Sequence, residues 1–305
     1  MSVKIPLTSK NKLGLLFTID FSFIISIQDI DKKQALRRER LRASCHNRTP
    51  KKIMPAGSRK RRLPRHIFNK VIVNDQYRFL YCNIPKVATS NWKRVLMTLG
   101  GHAKSPWSIK SSDAHNTSRG YFRYLNEYSA SEIAVRLRTY YKFLFVRHPF
   151  ERLASAYRNK FVEHYNLTYF ERVYGRFIIK KFRKNHSKSK RITFEEFINY
   201  LLEGKAQVMN KHWKLFDELC RPCLVWYDFI GYLEDIEQDS NDVLKILGLN
   251  DQVVFPVNIS SGYRVPSSVL MTNYFSTLPR SYKEKLYNKY KYDFEMFGYP
   301  KPNWT

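Results

Sequence analysis

The chain has 305 residues, with 54 Lys or Arg against 26 Asp or Glu, so its formal net charge is +28. Hydrophobic residues at 43% and aromatics at 15% are ample for a core, which excludes a wholly disordered chain, a collagen-like chain and a coiled coil. Four cysteines exclude a small disulfide scaffold, and the charge predicts a polyanionic partner: nucleic acid, an acidic membrane surface, an anionic polysaccharide or a phosphorylated cofactor.

Leu13 to Ile27 is apolar and follows Lys4, Lys10 and Lys12, so residues 1–30 are expected to hold a signal anchor. Asp20 interrupts the stretch, which falls short of the about 20 apolar residues that span a bilayer; a buried segment is the competing reading. Residues 31–66 carry fourteen Lys or Arg together with Pro50, Pro55 and Pro64, and predict a basic disordered stem. The folded domain is expected at 67–305. Strands are predicted at Val71–Val73, Arg78–Cys82, Tyr141–Val146 and Leu224–Ile230. Helices are predicted at Trp92–Leu99, Glu132–Tyr140, Phe150–His164, Phe194–Leu202, Asp235–Leu247 and Arg280–Tyr292. Thr193 and Glu196 fit a capping box for the fourth of these. The alternation predicts an α/β fold with a parallel central sheet flanked by helices.

Two segments carry the chemistry. In the first, the strand ending at Cys82 leads into a turn with Pro85, Lys86, Thr89 and Ser90, and a helix begins near Asn91. Free amides at a helix start and a loop lysine suit an anion. The GxxxxGK[ST] pattern is absent, and an ordinary turn with an exposed lysine is the competing reading. In the second, a buried strand delivers Arg147 at its carboxyl end, and Pro149 suits the first turn of a helix on which Arg152, Ser155 and Asn159 share a face. Ligands of open α/β sheets bind at such strand ends, and two anion sites suit a nucleotide with phosphate groups at both ends.

IPKVATSNWKRVL and FLFVRHPFERLASAYRNKF resemble the 5′-phosphosulfate and 3′-phosphate motifs of Golgi carbohydrate sulfotransferases, in the group that includes the chondroitin and dermatan 4-O-sulfotransferases. The likeness continues through Asp113–His115, Glu132–Val146 and His212–Ser240 and covers roughly 67–300. The resemblance implies a P-loop-like sulfotransferase fold with helical additions. It also implies 3′-phosphoadenosine 5′-phosphosulfate as sulfo donor, with no metal, and a glycosaminoglycan hydroxyl as acceptor, the 4-OH of N-acetylgalactosamine foremost. Pro85, Lys86, Val87, Ala88, Thr89, Ser90 and Asn91 should wrap the 5′-phosphosulfate. Arg147, His148, Pro149, Phe150, Glu151, Arg152, Leu153, Ala154 and Ser155 should form the 3′-phosphate site, with Arg147 and Ser155 in direct contact. His148 departs from the group, which carries Glu there; ATS replaces the usual ACT.

In-line displacement at sulfur needs charge stabilisation at the leaving oxygen, for which Lys86 is placed, and a base for the acceptor hydroxyl. His115 is the candidate base, with Glu151 and His148 as lesser ones; a surface histidine beside a sequon is the competing reading of His115. Cys220-Arg-Pro-Cys223 lacks the two further ligands zinc would need, so a structural disulfide or a buried thiol pair is expected, its pairing open. His212–Trp213 reads as a catalytic pair or as helix packing. The basic stretch Phe177–Arg191 reads as a rail for an anionic polysaccharide or as a solvated loop. Sequons at Asn47, Asn116, Asn166, Asn185, Asn258 and Asn303 predict N-glycans and, with the anchor, a single-pass type II protein of the Golgi membrane with a lumenal catalytic domain. A nucleic-acid-binding protein and a non-catalytic heparin binder are the competing classes; no known nucleic-acid motif appears.

Overall fold

Five strands make one sheet, in the order β3–β1–β2–β4–β5: β1 (Val71–Asn74), β2 (Phe79–Cys82), β3 (Arg123–Tyr124), β4 (Tyr141–Val146) and β5 (Phe229–Tyr232). The structure, a computed structural model, describes residues 21–47, 64–163, 167–183, 189, 191–205, 209–257 and 265–304. The sheet is mixed: its β2–β4–β5 part is parallel as expected, and the antiparallel β1 and β3 correct the expectation on the other side. Strands β2, β4 and β5 are parallel, with Cys82 opposite Leu144 and Leu144 opposite Ile230, whereas β1 pairs antiparallel with both β2 and β3. The reason is the short link between β1 and β2. Asp75–Arg78 can only reverse the chain, since a parallel return needs a crossover of a dozen or more residues. Asn74 Oδ1 accepts from the Tyr77 amide (2.8 Å) and Arg78 takes φ 54° to close that turn.

Helices cover the sheet. They are α1 (Phe21–Asn47), α2 (Thr89–Leu99), α3 (Ser111–His115), α4 (Ala130–Thr139), α5 (Pro149–Tyr157), α6 (Leu167–Phe170) and α7 (Arg176–Phe182). They continue as α8 (Phe194–Glu203), α9 (Phe216–Cys220), α10 (Pro222–Val225), α11 (Ile236–Ile246), α12 (Ser267–Ser276) and α13 (Arg280–Phe297). The Thr193–Glu196 box caps α8, and Ser129 with Glu132 makes the same box for α4. The predicted strand at 224 starts only at Phe229. Arg221 and Trp226, both with left-handed backbone, instead bracket the helical turn of α10. The helix predicted over Phe150–His164 changes character after Tyr157, where a π turn runs from Arg158 to Val162.

Strand β4 explains why the centre of the sheet is dry. Phe143, Leu144, Phe145 and Val146 are fully buried, and Trp92 of α2 packs on Phe143 and Phe145 with ring centroids 4.9 and 5.1 Å away. That packing fixes the start of α2 above the end of β2. Lys142, the one charge in β4, pairs with Asp228 at 2.7 Å. A second apolar cluster, around Phe150, Phe161, Phe197, Trp213 and Phe294, joins α5, α8 and α13.

The stem expectation is corrected for residues 31–47. They belong to α1, which lies along the edge strand β5. Gln34 Oε1 accepts from the Ile230 amide (2.9 Å) while its Nε2 donates to the Ile230 carbonyl, so one side chain does for β5 what a neighbouring strand would. Lys33 reaches Asp239 (3.0 Å) and Asp242, and Arg37 donates to Asp239 (2.7 Å) and to the Ile230 carbonyl (2.8 Å). The basic composition of this segment thus serves a buried acidic patch. Ile27, at the end of the apolar stretch, packs against the core. Residues 13–20 of the expected anchor, and 48–63 of the stem, lie outside the described residues. Among the described residues no helix is long and apolar enough to cross a membrane.

The disulfides are Cys45–Cys223 and Cys82–Cys220, so the two cysteines of the C-R-P-C segment bond to distant partners and not to each other. They span 178 and 138 residues, loops for which chain-entropy arguments give up to about 5 kcal/mol each. Cys45→Ser should therefore cost about 2–5 kcal/mol and lower the unfolding midpoint by about 5–15 °C. Calorimetry checks this; an unchanged midpoint would mean that the Cys45–Cys223 link adds nothing to the docking of α1.

Candidate active site

Parallel pairing of β2 with β4 sets their carboxyl ends side by side, so the loop after Cys82 and the turn after Val146 open on the same edge. The two are in contact: Arg147 Nη1 donates to the Lys86 carbonyl at 3.2 Å. The first predicted segment begins its helix at Thr89, two residues before the predicted start. Thr89 Oγ1 donates back to the Ile84 carbonyl and pins the loop across its mouth. Lys86 (φ 74°) and Ala88 (φ 57°) both take the left-handed conformation, which costs a non-glycine residue about 1–2 kcal/mol. Ala88 is the N-cap of α2 and offers no capping side chain, so the first amides of the helix face outward at its positive end.

Arg147 is only 6% exposed. Its Nη2 lies 3.6 Å from Glu151 Oε2, and its Nε is buried with no hydrogen-bond partner among the described residues. Arg152 has another task. Its Nε donates to the Pro85 carbonyl (3.1 Å), and its two Nη atoms donate to the carbonyls of Lys214 (2.7 Å) and Lys211 (3.0 Å). It is a strut beneath the loop, not a group that faces the cleft. Phe150, Leu153 and Ala154 are fully buried core residues, and Pro149 and Ser155 are also buried. His148 caps α5: its Nδ1 accepts from the Glu151 amide at 3.4 Å, and its own amide donates to Glu234 at 2.8 Å. Burial, with Arg147 adding to it, pushes the His148 imidazole down to about 4, so it is neutral and able to accept that bond. Glu151 is held between Arg147 and the Ser267 hydroxyl, which donates to it at 2.6 Å.

His115 ends α3, and its Nε2 lies 2.8 Å from Ser90 Oγ. Next to Ser90, Asn91 Nδ2 donates to the Pro256 carbonyl (2.8 Å), and Arg94 joins Asn91 Oδ1 (2.8 Å) to the Ile109 carbonyl (2.9 Å). One side of the ring is open to solvent. Desolvation of the other, then the charges of Lys93, Lys211, Lys160 and Arg94, hold it down at about 4.

The structure adds cations that the sequence reading passed over. Arg158 (8% exposed) and Lys160 (6%) both turn inward from the π turn, and the field of each reaches Lys86. Burial, then Arg147, Lys160 and Arg158, push Lys86 down to about 7. Burial and Lys211 take Lys160 down to about 8, and burial with Lys211 and Lys70 does the same for Lys93. His212 sits within the same field: burial first, then Lys160, Lys211 and Lys86, push it down to about 2. Its Nδ1 meets Asn210 Oδ1 at 2.7 Å, while Trp213 is fully buried in the second core, so the pair divides between cleft and packing. So many mutually repelling cations, one with an unsatisfied buried Nε, fit a multiply charged anion. Among the described residues no three His, Cys, Asp or Glu side chains converge to hold a metal.

Comparison with known proteins identifies the family. The profile of the sulfotransferase family matches residues 69–300. Carbohydrate sulfotransferase 11 of Rattus norvegicus is 39% identical over 280 residues, 88% of this chain and 76% of its own. Carbohydrate sulfotransferase 14 of Danio rerio is 39% identical over 278 residues (89% and 73%), and carbohydrate sulfotransferase 8 of Mus musculus 37% over 281 (90% and 65%). No solved structure matches the chain. The chain belongs to the sulfotransferase family. Within it, it stands among the carbohydrate sulfotransferases, enzymes that draw on 3′-phosphoadenosine 5′-phosphosulfate.

An anion entering the cleft must raise the pKa of Lys86 above about 7. Binding of 3′-phosphoadenosine 5′-phosphate should then take up protons above neutrality. Affinity should weaken as pH climbs past 7, by up to about tenfold per pH unit for each proton taken up. Titration calorimetry in buffers of different ionisation enthalpy measures the uptake; none between pH 7 and 9 would take Lys86 out of the site.

Proposed function

We propose that the chain transfers a sulfo group from 3′-phosphoadenosine 5′-phosphosulfate to a hydroxyl of a glycosaminoglycan-type glycan, foremost the 4-OH of N-acetylgalactosamine in chondroitin or dermatan. The observation that carries the reading is the Arg147–Lys86 contact. It joins two anion-binding strand tips into one cleft in a chain of this family. The names of the relatives support a carbohydrate acceptor.

The donor, when bound, supplies an activated sulfo group on a nucleotide leaving group. The loop from Pro85 to Asn91 holds its 5′ end. The left-handed turns at Lys86 and Ala88 aim the amides, and the Lys86 ammonium, which holds a proton taken from solvent because the incoming anion raises its pKa, stabilises the charge that develops on the leaving oxygen. Arg147, with Arg158 beside it, holds the 3′-phosphate; Ser155, two turns into the same segment, is the neutral contact. Arg152 positions the loop from beneath. His115 is neutral at working pH and accepts the proton of the acceptor hydroxyl, steadied by Ser90. His148 and Glu151 are committed to the cap of α5 and to Arg147, which favours His115 over those two as the base.

The setting we infer is the Golgi lumen, with N-glycans on the six sequons and an anchor amino-terminal to Phe21, since residues 21–30 of the expected anchor belong to α1. Two disulfides fit an oxidising compartment.

His115→Ala should lower turnover by about 10²–10⁴-fold and leave affinity for the nucleotide product within a few-fold. Wild-type turnover would remove His115 from the mechanism. Lys86→Ala should abolish transfer while retention on heparin persists. Radiolabelled sulfate transfer to a panel of desulfated glycans tests the acceptor: label on a galactose or glucuronate polymer and none on chondroitin or dermatan would replace the acceptor named here.

A further inference from the structure

The helical run from Leu167 to Phe182 is made of α6, a π turn from Glu171 to Gly175, and α7. Its inner face is part of the site's wall. Phe170 is buried, edge-on to the His212 ring at 5.7 Å, and Lys160 Nζ lies 4.8 Å from its centroid; Ile178 is fully buried. On the outer face Tyr169 (52% exposed), Val173 (44%) and Phe177 (52%) recur every four residues, with Arg172 and Arg176 exposed between them and Lys180 exposed just beyond. In a π turn the hydrogen bonds run from i to i+5, so the chain advances less per residue and a four-residue spacing stays in line. With a rise of at most about 1.5 Å per residue, Tyr169 and Phe177 lie no more than about 12 Å apart along the axis, still enough to meet more than one sugar ring.

We propose that this outer face is a rail for the anionic polysaccharide beyond the reacting sugar. Tyr169 and Phe177 stack against sugar rings, and Arg172, Arg176 and Lys180 pair with carboxylate or sulfate groups. The inference rests on reading the cleft as the sulfotransfer site, and it places the rail on the residues just before, and at the start of, the basic stretch that begins at Phe177. Two observations choose the occupant. The exposed cations are complementary to a polyanion, and the helix leads outward from Phe170, whose ring touches the cleft. A helix lying in a membrane needs a broad apolar face. Here the broad apolar face is already buried, and the exposed one is a single row.

The test compares desulfated chondroitin of polymer length with a tetrasaccharide of the same repeat as acceptors for the wild type and for Arg172→Ala/Arg176→Ala. The polymer KM should rise by about tenfold, a loss of about 1.4 kcal/mol. The tetrasaccharide KM should stay within about twofold, and Arg172→Lys/Arg176→Lys should recover most of the loss, as charges screened by salt would. Tyr169→Ser should raise the polymer KM in the same direction without touching charge. Equal losses on both acceptors, or none on the polymer, overturn the rail alone. So does release of the double variant from phosphatidylserine vesicles with an unchanged polymer KM, which would make the face a membrane contact. A wild type inert toward both lengths overturns the sulfotransfer reading and the rail with it.

Discussion

Like charges packed together govern this molecule. Lys86, Arg147, Arg158 and Lys160 are brought within each other's field by two parallel strands and one π turn, and burial removes the water that would screen them. A fold tolerates such a cluster only when something anchors it. Here the anchor is partly neutral and partly ionic: the Lys86 carbonyl accepts from Arg147, the Pro85, Lys211 and Lys214 carbonyls take the guanidinium of Arg152, and Glu151 and Glu163 stand 3.6 and 3.5 Å from Arg147 and Arg158. The cleft is thereby electropositive, and it suits a polyanion that would complete the hydrogen bonding and relieve the repulsion. In such a site binding and protonation would be one event.

The scaffold around the cleft is stiff where the site needs it to be. The Trp92–Phe143–Phe145 stack holds α2 on the sheet, Thr89 ties the loop across itself, and Cys82, the last residue of β2, is bonded to Cys220. Left-handed Lys86 and Ala88 are kept in place by that surround, as strain at a functional loop must be. On the opposite edge, α1 substitutes for a missing strand. Its Gln34 amide and Arg37 cover the exposed β5 ladder, and Cys45–Cys223 staples the helix down. The amino-terminal basic segment is therefore a structural element of the domain over residues 31–47.

Much of the site was legible because its signals are local. A strand followed by a turn with lysine and hydroxyl residues, and an arginine at the end of the apolar run YKFLFV, fix chemistry by position along the chain. Arg152 was misplaced because helical periodicity alone sets it on the same face as Ser155 and Asn159; only the packing shows that its donors are consumed by three carbonyls. Arg158 and Lys160 were passed over for the reverse reason. Two apart on an α-helix, they would point to opposite sides, and nothing in RNKFV announces the π turn that sends both inward. The stem was read as disordered from its charge, which is the right inference for a segment without partners. Its partners, Asp239 and Asp242, lie about two hundred residues away.

By itself the sequence determined the family and the β–α order, and it picked out the two strand-tip segments that the fold brings into contact, because each is carried by residues that are neighbours in the chain. Tertiary structure alone decided the mixed direction of the sheet, both disulfide partners, the docking of α1 and the membership of the cation cluster. Those depend on contacts between segments dozens to hundreds of residues apart, where charge, burial and hydrogen-bond satisfaction are settled jointly and no single stretch of chain records the outcome.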